Sequence, residues 1–142
     1  MTRTVHIEAS RAQVWKALTD PEVMVKWFGD GVVFAALEPG ATGRIHWDDY
    51  GSFPIEITEV VPAGSFGFRW SGIPAEQLDE YSTHVRFTLA DADSGTDVTV
   101  IESGFDTLPG GTRYRRERLE QNREGWDVEL DELAMLFDGV TE

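Results

Sequence analysis

Residues 122–137 read NREGWDVELDELAMLF, and this stretch decides the fold. Apolar side chains recur at helical spacing along one stripe, from just before the stretch to its end: Leu119, Trp126, Leu130, Leu133, Ala134 and Phe137. Glu, Asp and Arg dominate the other positions. The pattern predicts a long amphipathic helix with a single apolar face.

Most of the chain before this helix shows the period of two that is typical of half-buried strands. Strands are predicted over 3–8, 32–37, 43–48, 53–61, 65–70, 83–89 and 97–105. Ser10 with Gln13, and Asp20 with Pro21, mark the starts of two short helices after the first strand, and Gly29 is predicted to end the second. An antiparallel sheet with one apolar face needs a cover, and the final helix is long enough to supply it. We therefore predict an α+β fold with one domain over residues 1–142 and a pocket between sheet and helix.

The composition excludes several classes of protein. The chain has 142 residues, 41% hydrophobic, and a net charge of −14 from 26 acidic and 12 basic residues. A field of this sign repels phosphates, so neither nucleic acid nor membrane insertion is expected. The chain contains no cysteine, which excludes disulfides, thiol catalysis and zinc–thiolate sites. No apolar run has the length of a membrane helix and the N-terminus lacks an apolar signal core, so we expect a cytoplasmic protein.

The histidines do not predict a metal site or a catalytic triad. His6, His46 and His84 are each out of phase with the apolar residues of their strands, which places them on the outer face of the sheet. Neither a metal-binding spacing, a GxSxG string nor a P-loop is present. We expect neither metal nor cofactor.

Glu102 is the candidate for interior chemistry. It shares the phase of Val98 and Val100, so alternation directs its carboxylate toward the covered face of the sheet. A buried carboxylate acts as a general acid or base, or holds a polar group of a ligand. The alternative is that the strand ends here and the side chain reaches solvent or pairs with an arginine.

Several strings, taken in order, resemble the SRPBCC (START-like) superfamily, whose fold is the helix grip. Within it, the chain resembles the branch named for the activator of the 90-kDa heat-shock protein ATPase. The matching strings are VHI at 5–7, VWKAL at 14–18, DP at 20–21, KWF at 26–28, FGFRW at 66–70, GTDVTV at 95–100, SGF at 103–105 and GW at 125–126, followed by Leu130, Leu133 and Ala134. The resemblance implies a curved antiparallel sheet that grips the C-terminal helix around a hydrophobic cavity.

Together with this resemblance, the aromatic residues in phase with the apolar face of their elements predict a ligand site that also contains a few polar groups. The predicted ligand-binding residues are Trp27, Phe28, Trp47, Phe68, Trp70, Tyr81, Phe87, Glu102, Asn122, Trp126 and Leu130. The expected ligand is a small hydrophobic or amphipathic molecule. The resemblance leaves two alternatives: a co-chaperone that binds a chaperone through its surface, and a cyclase-type enzyme that uses Glu102. A monomer or a homodimer is expected.

Two features of the final helix complete the prediction. Gly125 lies in mid-helix, where glycine costs about 1 kcal/mol relative to alanine, so it is interpreted as a close-approach or cavity position. A cluster of four arginines precedes it: Arg113, Arg115, Arg116 and Arg118. The cluster is either a solvated helix start, with Arg116 and Glu120 as a pair, or an anion-attracting rim at the cavity mouth, or a partner-docking patch.

Overall fold

The fold is a seven-stranded antiparallel sheet packed against one long C-terminal helix. The computed structural model describes residues 1–71 and 82–138. The strands are β1 (Thr2–Ile7), β2 (Gly31–Phe34), β3 (Thr42–Trp47), β4 (Gly51–Val61), β5 (Ser65–Trp70), β6 (Thr83–Ala92) and β7 (Gly95–Ser103). The helices are α1 (Arg11–Thr19), α2 (Pro21–Met24) and α3 (Gly111–Asp138), with a 3-10 turn at Phe105–Thr107. The predicted α+β helix-grip fold is confirmed.

Strands β2 to β7 form an antiparallel meander, and β1 pairs with β7 at the edge opposite β2. The strand order of the sheet is β1-β7-β6-β5-β4-β3-β2, and every neighbouring pair is antiparallel. The pairing of β4 with β5 shifts between Ile57 and Glu59, which marks a bulge. A bulge bends its strand and increases the local twist, and this curvature lets the sheet wrap around α3.

The two predicted helix starts are confirmed by their caps. Ser10 Oγ accepts a hydrogen bond from the Gln13 backbone N–H at 3.2 Å, and the Gln13 side chain accepts one from the Ser10 backbone N–H at 3.0 Å. Asp20 Oδ1 accepts from the backbone N–H of Glu22 at 3.0 Å, with Pro21 at the first helical position. These caps satisfy backbone donors that have no partner within the helix.

Six of the seven strands begin or end one to three residues from their predicted bounds, and the ends of three elements differ for an identifiable structural reason. Strand β2 ends at Phe34 rather than at residue 37, because its pairing with β3 ends where Phe34 faces Gly43. Strand β7 ends at Ser103 rather than at residue 105, because Gly104 adopts a left-handed conformation with φ 97°. Helix α2 is a single turn, and the chain continues in turns to Gly29, whose φ is 81°.

The core lies between the inner face of the sheet and the helices. Three side chains of the predicted apolar stripe on α3 are buried in this core: Trp126, Leu130 and Leu133. Strands β6 and β7 contribute the buried alternating positions Val85, Phe87, Leu89, Val98 and Val100. No helix in the described part of the chain is long and apolar enough to cross a membrane.

The outer face of the sheet carries its polar side chains, including His6, His46 and His84. Arg69 pairs with Glu56 at 2.8 Å, in keeping with the out-of-phase position of that arginine. Hydrogen bonds to Asp97 and Glu8 raise the pKa of His6 above its ordinary value of 6.5, whereas burial lowers the pKa of His84. Within residues 1–71 and 82–138, no group of three or more His, Cys, Asp or Glu side chains is arranged to hold a metal ion.

Candidate functional site

A cavity of about 620 Å³ lies between α3 and the end of the sheet formed by β3, β4 and β5. Its lining residues come from the turn after α2, from these strands and the segments beside them, and from the middle of α3. They are Phe28, Trp47, Tyr50, Phe53, Trp70, Ser71, Arg118, Gln121, Asn122, Glu124, Gly125, Trp126, Val128 and Glu129. The predicted space between sheet and helix is therefore open rather than filled by side chains.

Five rings form what we call the aromatic wall: Phe28, Trp47, Phe53, Trp70 and Trp126. Phe28 stacks on Trp126 with ring centroids 5.4 Å apart and an interplanar angle of 12°. It also meets Trp47 edge to face, at 5.1 Å and 88°. Trp70 lies 5.9 Å from Trp126, and Phe53 lies 5.4 Å from Trp47. These mutual contacts fix the rings in place and leave one apolar surface toward the cavity.

Glu102 lies behind this wall with its carboxylate fully buried. Two of the three indole N–H groups of the wall donate to it: Trp70 Nε1 to Oε2 and Trp126 Nε1 to Oε1, each at 2.9 Å. Thr83 Oγ1 donates to Oε2 at 2.5 Å. Asn122 Nδ2 lies 3.0 Å from both carboxylate oxygens. Four side chains from three different elements thus converge on one carboxylate.

This arrangement decides between the two interpretations of Glu102. The side chain neither reaches solvent nor pairs with an arginine, so that expectation was wrong: β7 continues through Glu102, and pairing with Val85 of β6 keeps it on the covered face. A carboxylate offers about four lone-pair positions, and donors already occupy both oxygens. Its geometry is that of a fixed hydrogen-bond acceptor.

The Glu102 contacts also set the character of the cavity surface. An indole has a single hydrogen-bond donor, and both Trp70 and Trp126 direct theirs at Glu102. What Trp70 and Trp126 contribute to the cavity is therefore ring surface without an unsatisfied donor. A ligand meets an apolar surface there that requires no polar partner.

The α3 side of the cavity supplies its polar groups. Arg118, Gln121, Asn122, Gly125 and Glu129 follow one another at helical spacing along the helix. Such spacing aligns residues on one face, next to the buried stripe. The cavity is therefore apolar on its sheet side and polar along one flank of the helix.

Glu129 is a cavity-lining residue whose side-chain pKa is strongly shifted. Burial, together with the nearby carboxylates of Glu132 and Asp30, raises the pKa of Glu129 to about 7 from its ordinary value of 4.5. Desolvation and like charge both disfavour the ionised form. The carboxylate therefore changes its charge near neutral pH.

We expect Glu129→Gln to stabilise the protein at about pH 8 and to have little effect at about pH 4. The folded protein holds the Glu129 proton more tightly than the unfolded chain, so wild-type stability falls as the pH rises from 4.5 to about 7. Glutamine cannot ionise and removes this loss. Urea unfolding at both pH values measures the difference, with Glu124→Gln at an exposed position of the same helix as the control. An effect of Glu129→Gln that has equal size at both pH values would contradict the prediction.

The predicted ligand residues divide into three groups in the structure. Phe28, Trp47, Trp70, Asn122 and Trp126 line the cavity. Trp27, Phe68, Phe87 and Leu130 are instead buried in the core, and Glu102 lies behind the wall. Tyr81 lies outside the described residues. Trp27 illustrates the reason for the second group, because its Nε1 donates to the carbonyl oxygen of Ala17 at 2.7 Å and this bond holds the ring beneath α1.

Other lining residues were not among the predicted ligand-binding residues, although Arg118 was predicted as part of a possible anion-attracting rim. Phe53 shares the phase of Ile55 and Ile57, so alternation offered a signal for its inward position. Arg118 and Glu129 continue the helical spacing of Asn122 and extend the lining in both directions. Tyr50, Ser71 and Val128 carry no sequence signal that separates them from ordinary surface residues.

Gly125 lines the cavity, and one of the two interpretations offered for it was wrong. A Cβ added at this position has no atom of the described residues within 4 Å, so the glycine does not allow a close approach of helix and sheet. It is instead an exposed position in the cavity lining, where absence of a side chain keeps space open.

Comparison with known proteins identifies relatives of this architecture. The family model described as Activator of Hsp90 ATPase homolog 1-like protein matches residues 8–138. A search of curated proteins found no match. Among solved structures, the chain is similar to DynU16, a protein of the dynemicin biosynthetic locus, with 28% identity and a TM-score of 0.76. That match covers 97% of this chain and 46% of the other, so this chain spans about half the length of DynU16.

Two further structures share the fold. Protein MLL2253 from Mesorhizobium loti has 23% identity and a TM-score of 0.77, with 97% of each chain covered. The Aha1 dimer from Colwellia psychrerythraea, solved in solution, has 19% identity and a TM-score of 0.77, with 96% of this chain and 94% of the other covered. At these identities the similarity shows the fold alone.

Proposed function

The chain belongs to the family of Activator of Hsp90 ATPase homolog 1-like proteins, and from this premise we propose that it binds a small hydrophobic or amphipathic molecule in the cavity between sheet and α3. The observation that carries the proposal is the aromatic wall beside an open space of about 620 Å³. Ligand sites in proteins typically measure about 300–1,000 Å³ and combine apolar walls with a few polar groups. The volume of the cavity lies in this range, and its lining combines an apolar wall with a few polar side chains.

The packing of the wall supports a ligand that is itself flat or partly aromatic. Phe28 and Trp126 are buried, whereas Trp47 and Trp70 keep part of their ring surface open. Protein interiors are normally packed at the density of organic crystals, so an open space beside rigid rings forgoes dispersion contacts that a ligand restores. The exposed Tyr50 and Val128 add apolar surface to the lining, at 72% and 57% exposure.

Similarity to DynU16 adds support for a small molecule as the ligand. That protein comes from a biosynthetic locus, by its description, and its match covers nearly all of this chain. Because this chain spans only about half of DynU16, whatever the longer protein does belongs to that protein. What carries over is the proposal that the shared fold holds a small molecule.

Native mass spectrometry of the purified protein, followed by solvent extraction, tests the proposal. We expect an adduct of one small molecule per chain, or, from empty protein, a thermal shift with members of a panel of aromatic acids, lipids and polyketides. Quenching of tryptophan fluorescence should accompany binding, because three of the five tryptophans lie in the aromatic wall. An empty protein that no panel member shifts or quenches would contradict the proposal.

The second candidate function is co-chaperone activity through the protein surface. The specific observation in its favour is the family match, which covers residues 8–138. It predicts that the purified protein stimulates the ATPase of a chaperone, and that changes in the cavity do not alter the stimulation. An ATPase assay with the wild type and one cavity variant separates this function from ligand binding.

A further inference from the structure

We infer that the cavity selects ligands that carry a carboxylate, and that Arg118 holds this group. The inference rests on the proposed function and specifies the chemical class of its ligand. It concerns the polar flank of the cavity on α3, which carries this arginine, whereas the aromatic wall forms the sheet side. The ligand would place its apolar part against the wall and its anionic group at this end of the helix.

Arg118 lines the cavity with a donor that has no partner. Its Nε is shut off from solvent, and no residue in the described part of the chain accepts a hydrogen bond from it. Buried donors in proteins are almost always satisfied, and an unsatisfied one costs free energy. A ligand acceptor removes that cost once the Arg118 side chain turns its guanidinium toward the cavity. Carboxylates match its planar fork of donors best, through two parallel hydrogen bonds.

The local sequence explains why this donor of Arg118 stays unpaired. A helix places its neighbours at three and four residues' distance, and for Arg118 these are Tyr114, Arg115, Gln121 and Asn122. None of them is acidic. Asn122 directs its Nδ2 at Glu102, and its Oδ1 accepts no hydrogen bond from Arg118 Nε. The helix therefore presents a positive charge to the cavity and supplies no counter-charge for it from the adjacent turns.

The other arginines of the cluster do not share this position. Arg113 pairs with Glu117 at 3.0 Å, and Arg115 Nε donates to the carbonyl oxygen of Leu108 at 2.7 Å. Arg116 is exposed, and the partner predicted for it, Glu120, pairs with Arg123 at 2.9 Å instead. Of the predicted anion-attracting rim, only Arg118 belongs to the cavity lining among the described residues.

The acidic groups of the cavity lie farther along the helix. Glu129 follows Arg118 by eleven residues, which corresponds to about 16 Å along the axis, beyond the screening length of about 8 Å in physiological salt. Glu124 is exposed, six residues or about 9 Å along the axis from Arg118. An anion at Arg118 therefore meets its attractive partner directly and these two carboxylates of the helix only at a distance.

A matched series of three ligands tests the inference by isothermal titration calorimetry. The probes are 1-naphthaleneacetic acid, its uncharged carboxamide and 2-(1-naphthyl)ethylamine, which share an aromatic skeleton suited to the wall. We expect the wild type to bind the acid about ten- to a hundredfold more tightly than the carboxamide, the range expected for a charge-assisted hydrogen bond. Arg118→Gln should abolish this preference by lowering the affinity for the acid far more than the affinity for the carboxamide.

The control variant is Arg116→Gln, which removes the same charge two residues away but outside the cavity lining. It should keep the preference for the acid within about twofold of the wild type, because long-range charge effects are screened. Arg118→Glu supplies a second variant, and we expect it to favour the amine over the acid. Both glutamine variants keep a good helix former at a surface-accessible position, so the fold should be retained.

The outcomes separate the inference from the proposed function. Binding of all three probes without preference, or an unchanged preference in Arg118→Gln, overturns the role of Arg118 and leaves the ligand-binding cavity standing. Equal loss of preference in Arg116→Gln and Arg118→Gln would show a general charge effect and also overturns it. Absence of binding by all three probes overturns both the inference and the proposed function for aromatic amphiphiles.

Discussion

Glu102→Leu is expected to lower the free energy of unfolding by about 4 kcal/mol, the range found when one partner of a buried charged network is removed. The substitution leaves two indole N–H groups, a threonine hydroxyl and an asparagine amide without their acceptor. Each unsatisfied buried donor costs about 1–3 kcal/mol, and removal of the carboxylate's own desolvation penalty offsets only part of the sum. Domains of this kind have total stabilities of about 5–15 kcal/mol, so the variant is at the edge of folding.

Urea unfolding measures this loss of stability, and two further variants serve as comparisons. Glu102→Gln keeps the shape but turns an NH₂ group toward donors, so we expect an intermediate loss of about 2 kcal/mol. Glu56→Gln makes the same chemical change on the outer face, where Glu56 pairs with Arg69, and should cost less than about 1 kcal/mol. Equal stabilities of Glu102→Gln and Glu56→Gln would contradict the structural role of the buried carboxylate.

Alternation in the sequence predicted that Glu102 faces inward but not what it meets there. The partners come from β5, β6 and α3. Strand pairing brings the first two elements to Glu102, because Trp70 faces Thr83 and Glu102 faces Val85 next to them, and packing of α3 on the sheet brings the helix residues. Register across a sheet depends on the sum of many cross-strand contacts, which a single strand's pattern does not contain. The direction of the side chain was therefore predictable, whereas its hydrogen bonds were not.

A comparable limit applies to the neighbours Trp27 and Phe28. Both were predicted as ligand contacts, yet Trp27 is held in the core by its bond to Ala17 while Phe28 belongs to the aromatic wall. Periodicity assigns a residue to a face, but the depth of the residue beneath that face depends on where the helices lie over the sheet. The caps of α1 and α2, by contrast, depend on residues three positions apart or fewer, and the sequence was sufficient to predict them.

Gly125→Leu is expected to weaken ligand binding by about thirtyfold or more, which corresponds to about 2 kcal/mol of steric conflict in an occupied site. The position lines the cavity, and a Cβ there has no atom of the described residues within 4 Å, so the larger side chain occupies ligand space without displacing protein atoms. The helix itself gains, because replacing a mid-helix glycine stabilises it by up to about 1 kcal/mol. A loss of binding would thus coincide with equal or greater stability, which distinguishes blockage from unfolding.

Titration with 1-naphthaleneacetamide, which lacks charge, measures the blockage independently of Arg118. Gly125→Ala should show a smaller loss than Gly125→Leu, since one methyl group occupies less of the 620 Å³. Asp131→Leu adds the same side chain at an exposed position of α3 outside the lining and should leave affinity unchanged. If Gly125→Leu binds as tightly as Asp131→Leu, the ligand lies elsewhere. If both variants then stimulate a chaperone ATPase equally, the result favours co-chaperone activity through the protein surface. The aromatic wall, Glu102 and the open space would in that case contribute to folding alone.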